Sequence, residues 1–256
     1  MKAGKVIKIS LVSLLFLGIV GYVVYASAFL SQPASDEKCT AVELIVKRGS
    51  QAKFVDEQEV ETMLKNAHVY PKGMLMKDVN TKKIEETIRA NDFVSKVECY
   101  KSSKGKLCVN VEQRVPVIFV IPDGQSGYFV DALGKRIYNS NYAINLVTAS
   151  GNIDEAFATT KLAEFGQYLQ TDAFWNNQIE QLYVTKNKKG EHVVEMIPRV
   201  GEHVVYLGSI DDYQKKLRKL KIFYEKAMGT VGWNKYAKIN LEYGNQIICT
   251  RGDGKQ

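Results

Sequence analysis

Three histidines, His68, His192 and His203, are the residues best suited to metal binding or to proton transfer near neutral pH. None of them stands within metal-ligand spacing of another histidine or of a cysteine. His192 and His203 fall in neighbouring predicted strands and could approach one another there, yet no further ligand converges on that place. The chain also contains no G-x-S-x-G, no P-loop and no H-E-x-x-H motif. We therefore predict no catalytic residue, no cofactor and no metal, while catalytic groups from distant positions keep an enzyme open as an alternative.

The cysteines are Cys39, Cys99, Cys108 and Cys249, and no two of them form a C-x-x-C pair that would indicate a zinc or redox site. All four follow the hydrophobic N-terminal segment, so a disulfide is one alternative if that side of a membrane is oxidising. The other alternative is that they are small buried hydrophobic residues. We favour buried thiols, because a domain of this size needs no covalent staple.

The formal net charge of +7 does not indicate nucleic-acid binding. Lys2, Lys5 and Lys8 precede the first acidic residue, Asp36, which leaves a dispersed excess of about four basic residues over the rest of the chain.

One predicted helix carries a concentration of positive charge, through which it could bind an acidic partner or anionic lipid. We instead expect the solvated back of a helix whose apolar stripe covers a sheet. Its basic residues are Lys215, Lys216, Arg218, Lys219 and Lys221.

Two acidic pairs have the residue type, but not the surroundings, of an acid–base site. Asp211 and Asp212 stand at the start of the basic helix, where negative charge suits the helix dipole. Glu85 and Glu86 lie in another predicted helix. We expect all four side chains to be exposed.

The N-terminal region predicts a membrane anchor. Residues 9–30 contain no charge and no proline, and at about 1.5 Å per residue they span roughly 33 Å, enough for a bilayer core. We assign residues 1–8 to a cytoplasmic tail and 9–31 to a transmembrane helix, oriented by the preceding lysines. A cleaved signal peptide is the alternative, since Ala26-Ser27-Ala28 resembles a cleavage site. Both alternatives place the chain from Pro33 onward outside the cytoplasm.

The order of elements predicts an α+β protein with two folded domains. Residues 40–115 read as strand, helix, helix, strand, strand. An Asp56 cap with Glu59 opens the first helix, and Ile84 and Ile88 face inward from the second. Residues 116–251 read as a mainly antiparallel β domain with two helices, at 154–170 and 210–228, and 252–256 as a polar tail. One of the predicted strands of this domain covers residues 144–148.

The last two predicted strands are the most informative part of the chain. Residues 236–243 alternate apolar and polar side chains, Gly244 and Asn245 interrupt them, and a second β-prone run covers 246–250. With little chain left to cover it, this final strand would lie at a sheet edge and accept a strand from another protein. The alternative is a plain core strand with a neighbour on both sides.

Over nearly its full length the chain resembles the FtsQ/DivIB family of bacterial cell-division proteins. The order and spacing of short segments carry the resemblance, and no single segment is specific. These are Met-Lys-Asp-Val at 76–79, Ala-Asn-Asp-Phe-Val at 90–94, Leu-Cys-Val-Asn-Val-Glu-Gln-Arg-Val-Pro at 107–116, Tyr-Phe-Val-Asp-Ala-Leu-Gly at 128–134, Tyr-Leu-Gly at 206–208 and Ile-Asn-Leu-Glu-Tyr at 239–243.

The resemblance implies an N-terminal transmembrane helix, a POTRA-like domain and a β domain in a non-enzymatic scaffold of the divisome. It implies binding of FtsB/DivIC-like and FtsL-like coiled-coil partners, regulation of septal peptidoglycan synthesis, and a place in the inner membrane at the septum with the bulk in the periplasm. Two departures are a tail of only about eight residues and the terminal run with Gln246 and Cys249, which differs from that of some members. The predicted partner-binding residues are Ile239, Leu241, Tyr243, Gln246, Ile247 and Ile248.

Two other functions compete with the scaffold. One is a membrane-anchored envelope enzyme such as a wall hydrolase, and no clustered nucleophile, metal site or acid pair favours it. The other is a POTRA-type chaperone of envelope assembly, and the chain has no set of strands long enough for a barrel of that kind.

Overall fold

The computed structural model describes residues 3–26, 36–47, 54–138 and 145–252, and for 3–12 it describes the backbone alone. The chain divides into two compact units, Met1–Gln113 and Arg114–Gln256. Each unit has its own sheet, one of three strands and one of nine.

The first element is α1, Ala3–Tyr25. Its large apolar side chains from Leu14 to Tyr25 are exposed. Over the part of the chain that the structure describes, no helix combines the length and the hydropathy that crossing a bilayer requires. Residues 27–31 of the predicted anchor lie outside the described residues, and the anchor stays a prediction.

The first unit has the predicted β-α-α-β-β order. Its three strands form the sheet β1-β3-β2, in which β1 runs parallel and β2 antiparallel to β3. Both outer strands therefore have one side without a partner strand among the described residues. The elements are β1 (Ala41–Lys47), α2 (Glu57–Asn66), α3 (Thr81–Arg89), β2 (Val94–Lys101) and β3 (Lys106–Gln113).

Local side-chain bonds explain why these helices start where they do. Asp56 Oδ1 accepts a hydrogen bond from the Glu59 amide at 2.8 Å, which is the predicted cap of α2. Asn80 caps α3 in the same way. Ile84 and Ile88 are fully buried, as their spacing predicts, and each such side chain contributes about 1.5–3 kcal/mol by leaving water.

The second unit is built on one mixed sheet with the order β12-β11-β10-β9-β8-β7-β4-β5-β6. Antiparallel pairings outnumber parallel ones, which are β4 with β7, β7 with β8, and β10 with β11. The strands are β4 (Pro116–Pro122), β5 (Tyr128–Asp131), β6 (Arg136–Ile137), β7 (Thr148–Gly151), β8 (Ile179–Lys186), β9 (His192–Pro198), β10 (Val204–Gly208), β11 (Tyr236–Asn240) and β12 (Ile248–Arg251).

The two predicted helices of this unit are present in several pieces, and a further helix, α6, was not predicted. Single π-helical turns, Ala158–Leu162 and Tyr224–Met228, interrupt the two long helical regions. Short α6 begins at the Asp172 cap and buries Trp175 in the core. The helices are α4 (Glu155–Phe157), α5 (Ala163–Thr171), α6 (Ala173–Gln178), α7 (Tyr213–Phe223) and α8 (Gly229–Val231).

The strand predicted at 144–148 is instead β7 at Thr148–Gly151, and residue 144 lies outside the described residues. Gly151 ends β7 with φ +109°, a left-handed value that favours glycine. A Cβ atom on Gly151 would press into the carbonyl oxygen of Val184 in the neighbouring strand β8. The close approach of β7 to β8 therefore requires glycine at this position.

A buried ion pair closes the turn after β5. Arg114 Nη1 donates to Asp131 Oδ2 at 2.6 Å, and the Asp131 side chain is only 6% exposed. The other carboxylate oxygen, Oδ1, accepts from the amides of Leu133 and Lys135 at 2.9 and 2.7 Å. The buried carboxylate thus pairs with the largely buried guanidinium and holds the turn, which gives a physical reason for the Arg-Val-Pro and Val-Asp-Ala-Leu-Gly segments.

Candidate partner-binding edge

The histidines do not form a site. β9 and β10 are antiparallel, with Val194 opposite Gly208 and Met196 opposite Val205. His192 and His203 therefore lie at opposite ends of this strand pair and do not approach one another. Across the described residues, no group of three histidine, cysteine or acidic side chains is arranged to hold a metal ion.

His203 is a core residue. Its side chain is fully buried, and Nε2 lies 2.7 Å from the Tyr224 hydroxyl. The Trp233 ring stacks over the same imidazole. Burial lowers the pKa of His203, because the cationic form would lose its hydration.

This burial predicts a pH dependence of stability. A lowered pKa means that the unfolded chain binds the proton more readily than the folded one below about pH 6.5. The contribution of His203 is therefore complete above that pH and is lost as pH falls through the folded pKa. We expect the free energy of unfolding to drop between pH 7 and 5, by at most about 1.4 kcal/mol per unit. His203→Gln should flatten this slope in denaturation series. A slope unchanged in His203→Gln but removed by His192→Gln would assign the effect to the other histidine.

His192 also has a packing role. Its ring stacks on Phe157 with centroids 4.0 Å apart, and Nε2 lies 3.1 Å from an oxygen of Asp154, the N-cap of α4. Burial lowers the pKa of His192, and the Asp154 charge opposes that shift. The pair joins the start of β9 to the start of α4.

All four cysteines are free thiols. Cys39 and Cys108 are buried, whereas Cys99 and Cys249 are half-buried. Burial raises the pKa of Cys99 to about 12, so its thiol stays protonated and is a poor nucleophile near neutral pH.

The strand β12 lies at the edge of the nine-stranded sheet, as predicted from its place in the sequence. It pairs antiparallel with β11, with Ile239 opposite Cys249 and Asn240 opposite Ile248. Among the described residues no strand pairs with its other side. The outward backbone N–H and C=O groups of β12 are consequently free to pair with a strand from another chain.

The six predicted contact residues divide into two groups. Ile239 and Leu241 have no exposed surface and belong to the core, so their side chains are not available to a partner. Tyr243 and Ile248 are 48% and 43% exposed, and Gln246 is exposed as well. Ile247 is half-buried and packs against the core. The exposed residues of the six, Tyr243, Gln246 and Ile248, lie in and just before the start of β12.

A shallow apolar groove of about 370 Å³ lies beside these residues. Helix α7 and the following π-helical turn form one wall, and the segment before β12 forms the other. Ile222 is 48% exposed at this wall, and the Lys219 ammonium donates a hydrogen bond to the Tyr243 carbonyl, tying the two walls together. The lining residues are Lys219, Ile222, Phe223, Lys226, Ala227, Asn245, Gln246 and Ile247.

The basic helix is less free than its sequence suggests. The Lys216 ammonium donates to the carbonyls of Leu207 and Ser209, and Lys215 pairs with Asp212. Burial lowers the pKa of Lys216. The Lys221 ammonium lies 4.9 Å from the centre of the Phe174 ring. Several of its positive charges therefore stabilise the unit internally.

Sequence reasoning missed the groove. In the pattern of α7, Leu217 and Leu220 are buried core residues, whereas Ile222 falls on the basic face. A single exposed apolar side chain is common on protein surfaces, so the position of Ile222 in the sequence does not by itself indicate a groove.

Comparison with known families agrees with this architecture. A model of the POTRA-like domain matches residues 37–112, the three-stranded unit. The chain is thus a POTRA-bearing protein whose second unit is a large β sheet. The model described as FtsQ/DivIB, C-terminal related, matches residues 115–250, more than half of the chain. The chain belongs to the FtsQ/DivIB family, a family of non-enzymatic cell-division scaffolds. A search of curated proteins found no match.

Proposed function

We propose that this chain is a membrane-anchored scaffold of the divisome that carries out no catalysis. In this proposal it recruits FtsB/DivIC-like and FtsL-like coiled-coil partners and thereby regulates septal peptidoglycan synthesis. Family membership supports the cell-division role. The unpaired edge of β12 carries the proposal for partner binding, because it offers backbone groups in register beside exposed apolar side chains.

The anchor in this proposal is the helix predicted at 9–31, with the two folded units in the periplasm. The exposed apolar side chains from Leu14 to Tyr25 favour a lipid environment over water. The three lysines ahead of them favour a cytoplasmic N-terminus. This arrangement would place the β12 edge in the compartment where septal wall is made.

The binding mode in this proposal is strand addition. A partner strand pairs with β12 through the main chain, and Tyr243 and Ile248 contact its side chains. Aromatic residues at the centre of an interface often contribute about 2 kcal/mol or more. The groove beside α7 widens the apolar surface available next to the strand.

The experiment measures retention of a tagged FtsB/DivIC-like protein from the same organism on the full-length chain extracted in mild detergent. We expect Tyr243→Ala combined with Ile248→Glu to lower affinity by roughly thirtyfold or more. Tyr183→Ala is the matched control, because Tyr183 is 44% exposed on β8, away from the edge. Both proteins should keep wild-type thermal unfolding.

Full binding by a folded double variant would refute the edge as the site. Loss of binding together with unfolding would assign these residues to the core. Recovery of the chain in the soluble fraction without detergent would contradict the anchor.

A further inference from the structure

Glu85 departs from its expected exposed position. Its Oε1 accepts a hydrogen bond from the backbone amide of Cys99 at 2.9 Å, and its side chain is 27% exposed. Its other oxygen, Oε2, lies 3.8 Å from Arg89 Nη2, one helical turn further along α3. A carboxylate from helix α3 therefore accepts the hydrogen bond of a backbone amide that belongs to a strand.

That strand is β2, and the donor lies on its open side. The amide of Ser102 bonds to the Lys106 carbonyl at 2.8 Å, and Tyr100 is opposite Cys108. In an antiparallel ladder alternate residues bond to the same neighbour, so the Cys99 amide points away from β3. It points to the side where, among the described residues, no strand pairs with β2.

The β2 edge would otherwise be a strong template for pairing. It has eight residues, against seven in β1, four in β12 and two in β6, and a long edge strand without a partner can template pairing with another chain. An added strand would place a carbonyl oxygen opposite the Cys99 amide. With Glu85 in place, that oxygen would have to displace a carboxylate from a charge-assisted hydrogen bond. The negative charge would then lie against the incoming carbonyl.

We propose that Glu85 closes the β2 edge of the POTRA-like unit against strand pairing. Arg89 positions the carboxylate, and the flanking Lys101 ammonium is itself bonded to the Met76 carbonyl. Among the described residues the eight-residue β2 edge is then closed, whereas the seven-residue β1 edge and the four-residue β12 edge keep an open side. The closure itself goes beyond the proposed function and does not depend on it.

The test uses three variants of the full-length chain in detergent micelles. Glu85→Ala removes the acceptor, Glu85→Gln keeps an oxygen at the same place, and Glu86→Ala changes the exposed neighbour on α3. We expect amide exchange over residues 94–101 to rise roughly tenfold in Glu85→Ala and to stay near the wild-type rate in the other two. At about 100 µM, Glu85→Ala should self-associate by edge-to-edge pairing more than wild type does, as seen by sedimentation velocity.

Unchanged exchange in Glu85→Ala would overturn the proposal. Exchange that rises equally in β1 and β3 would do so too, because it would make Glu85 a packing residue of the whole unit. A variant that exchanges faster over 94–101 and yet stays as monomeric as wild type would show that the carboxylate does not close the edge. None of these results depends on binding at β12, so the proposed function is tested separately.

Discussion

Asp131→Ala should lower the free energy of unfolding of the C-terminal unit by about 3–5 kcal/mol, because it removes the buried carboxylate that pairs with the largely buried Arg114 guanidinium. It also removes the acceptor of two turn amides. Both tryptophans of the chain, Trp175 and Trp233, lie in this unit. Denaturant titration followed by tryptophan fluorescence therefore measures the effect directly.

Two further variants separate the effect of losing the carboxylate charge from the effect of losing the hydrogen bonds of the turn. Asp131→Asn keeps an oxygen for the turn amides and loses the charge, so we expect a smaller loss of about 1–3 kcal/mol. Asp123→Ala removes an exposed acidic side chain from the turn after β4 and should change stability by less than about 0.5 kcal/mol. An Asp131→Ala protein as stable as Asp123→Ala would show that the ion pair does not hold this turn.

Gly151→Ala should destabilise the same unit by about 2–4 kcal/mol, because two costs add. The methyl group forces an alanine into a left-handed conformation, and it also collides with the Val184 carbonyl oxygen. Relief of the collision would separate β7 from β8 at the middle of the sheet. The measurement is again denaturant titration with tryptophan fluorescence.

Gly190→Ala is the matched control for the collision. Gly190 also has a positive φ, +80°, yet an added Cβ there meets no atom within 4 Å. Gly190→Ala should therefore lower the free energy of unfolding only by the conformational strain of the alanine, about 1–2 kcal/mol. Equal losses in the two variants would mean that strain alone explains Gly151 and that β7 can move away from β8 at no cost.

Local patterns were sufficient for much of the fold. The Asp56 cap and the Ile84 and Ile88 spacing located α2 and α3, because both signals depend on neighbours within one or two helical turns. The strand β7 was misplaced, since Thr-Ala-Ser-Gly carries no apolar alternation and is held in the sheet by β4 and β8. Parallel pairings of this kind join residues far apart in sequence, so no local pattern reports them.

The edge position of the last strand was predicted, but the exposure of the side chains around it was not. The alternation at Ile239 and Leu241 correctly groups residues that share a face, yet it does not say whether that face meets solvent or core. The contact surface includes Ile222 from α7, which only tertiary packing brings beside the segment before β12. Glu85 was expected to be exposed for a related reason: its partner is a backbone amide, and every residue except proline offers one.

The position of β12 in the chain also has a consequence for the timing of assembly. Every other strand that the structure describes in this sheet is synthesised before β12, and β11, its one described neighbour, immediately precedes it. A ribosome synthesising the chain therefore completes the proposed docking edge after the rest of the sheet. A product cut short before Ile248 would contain strands β4–β11 and lack β12, whose edge is proposed to bind the partner. If a partner binds this edge, its recruitment would require that synthesis has passed β12.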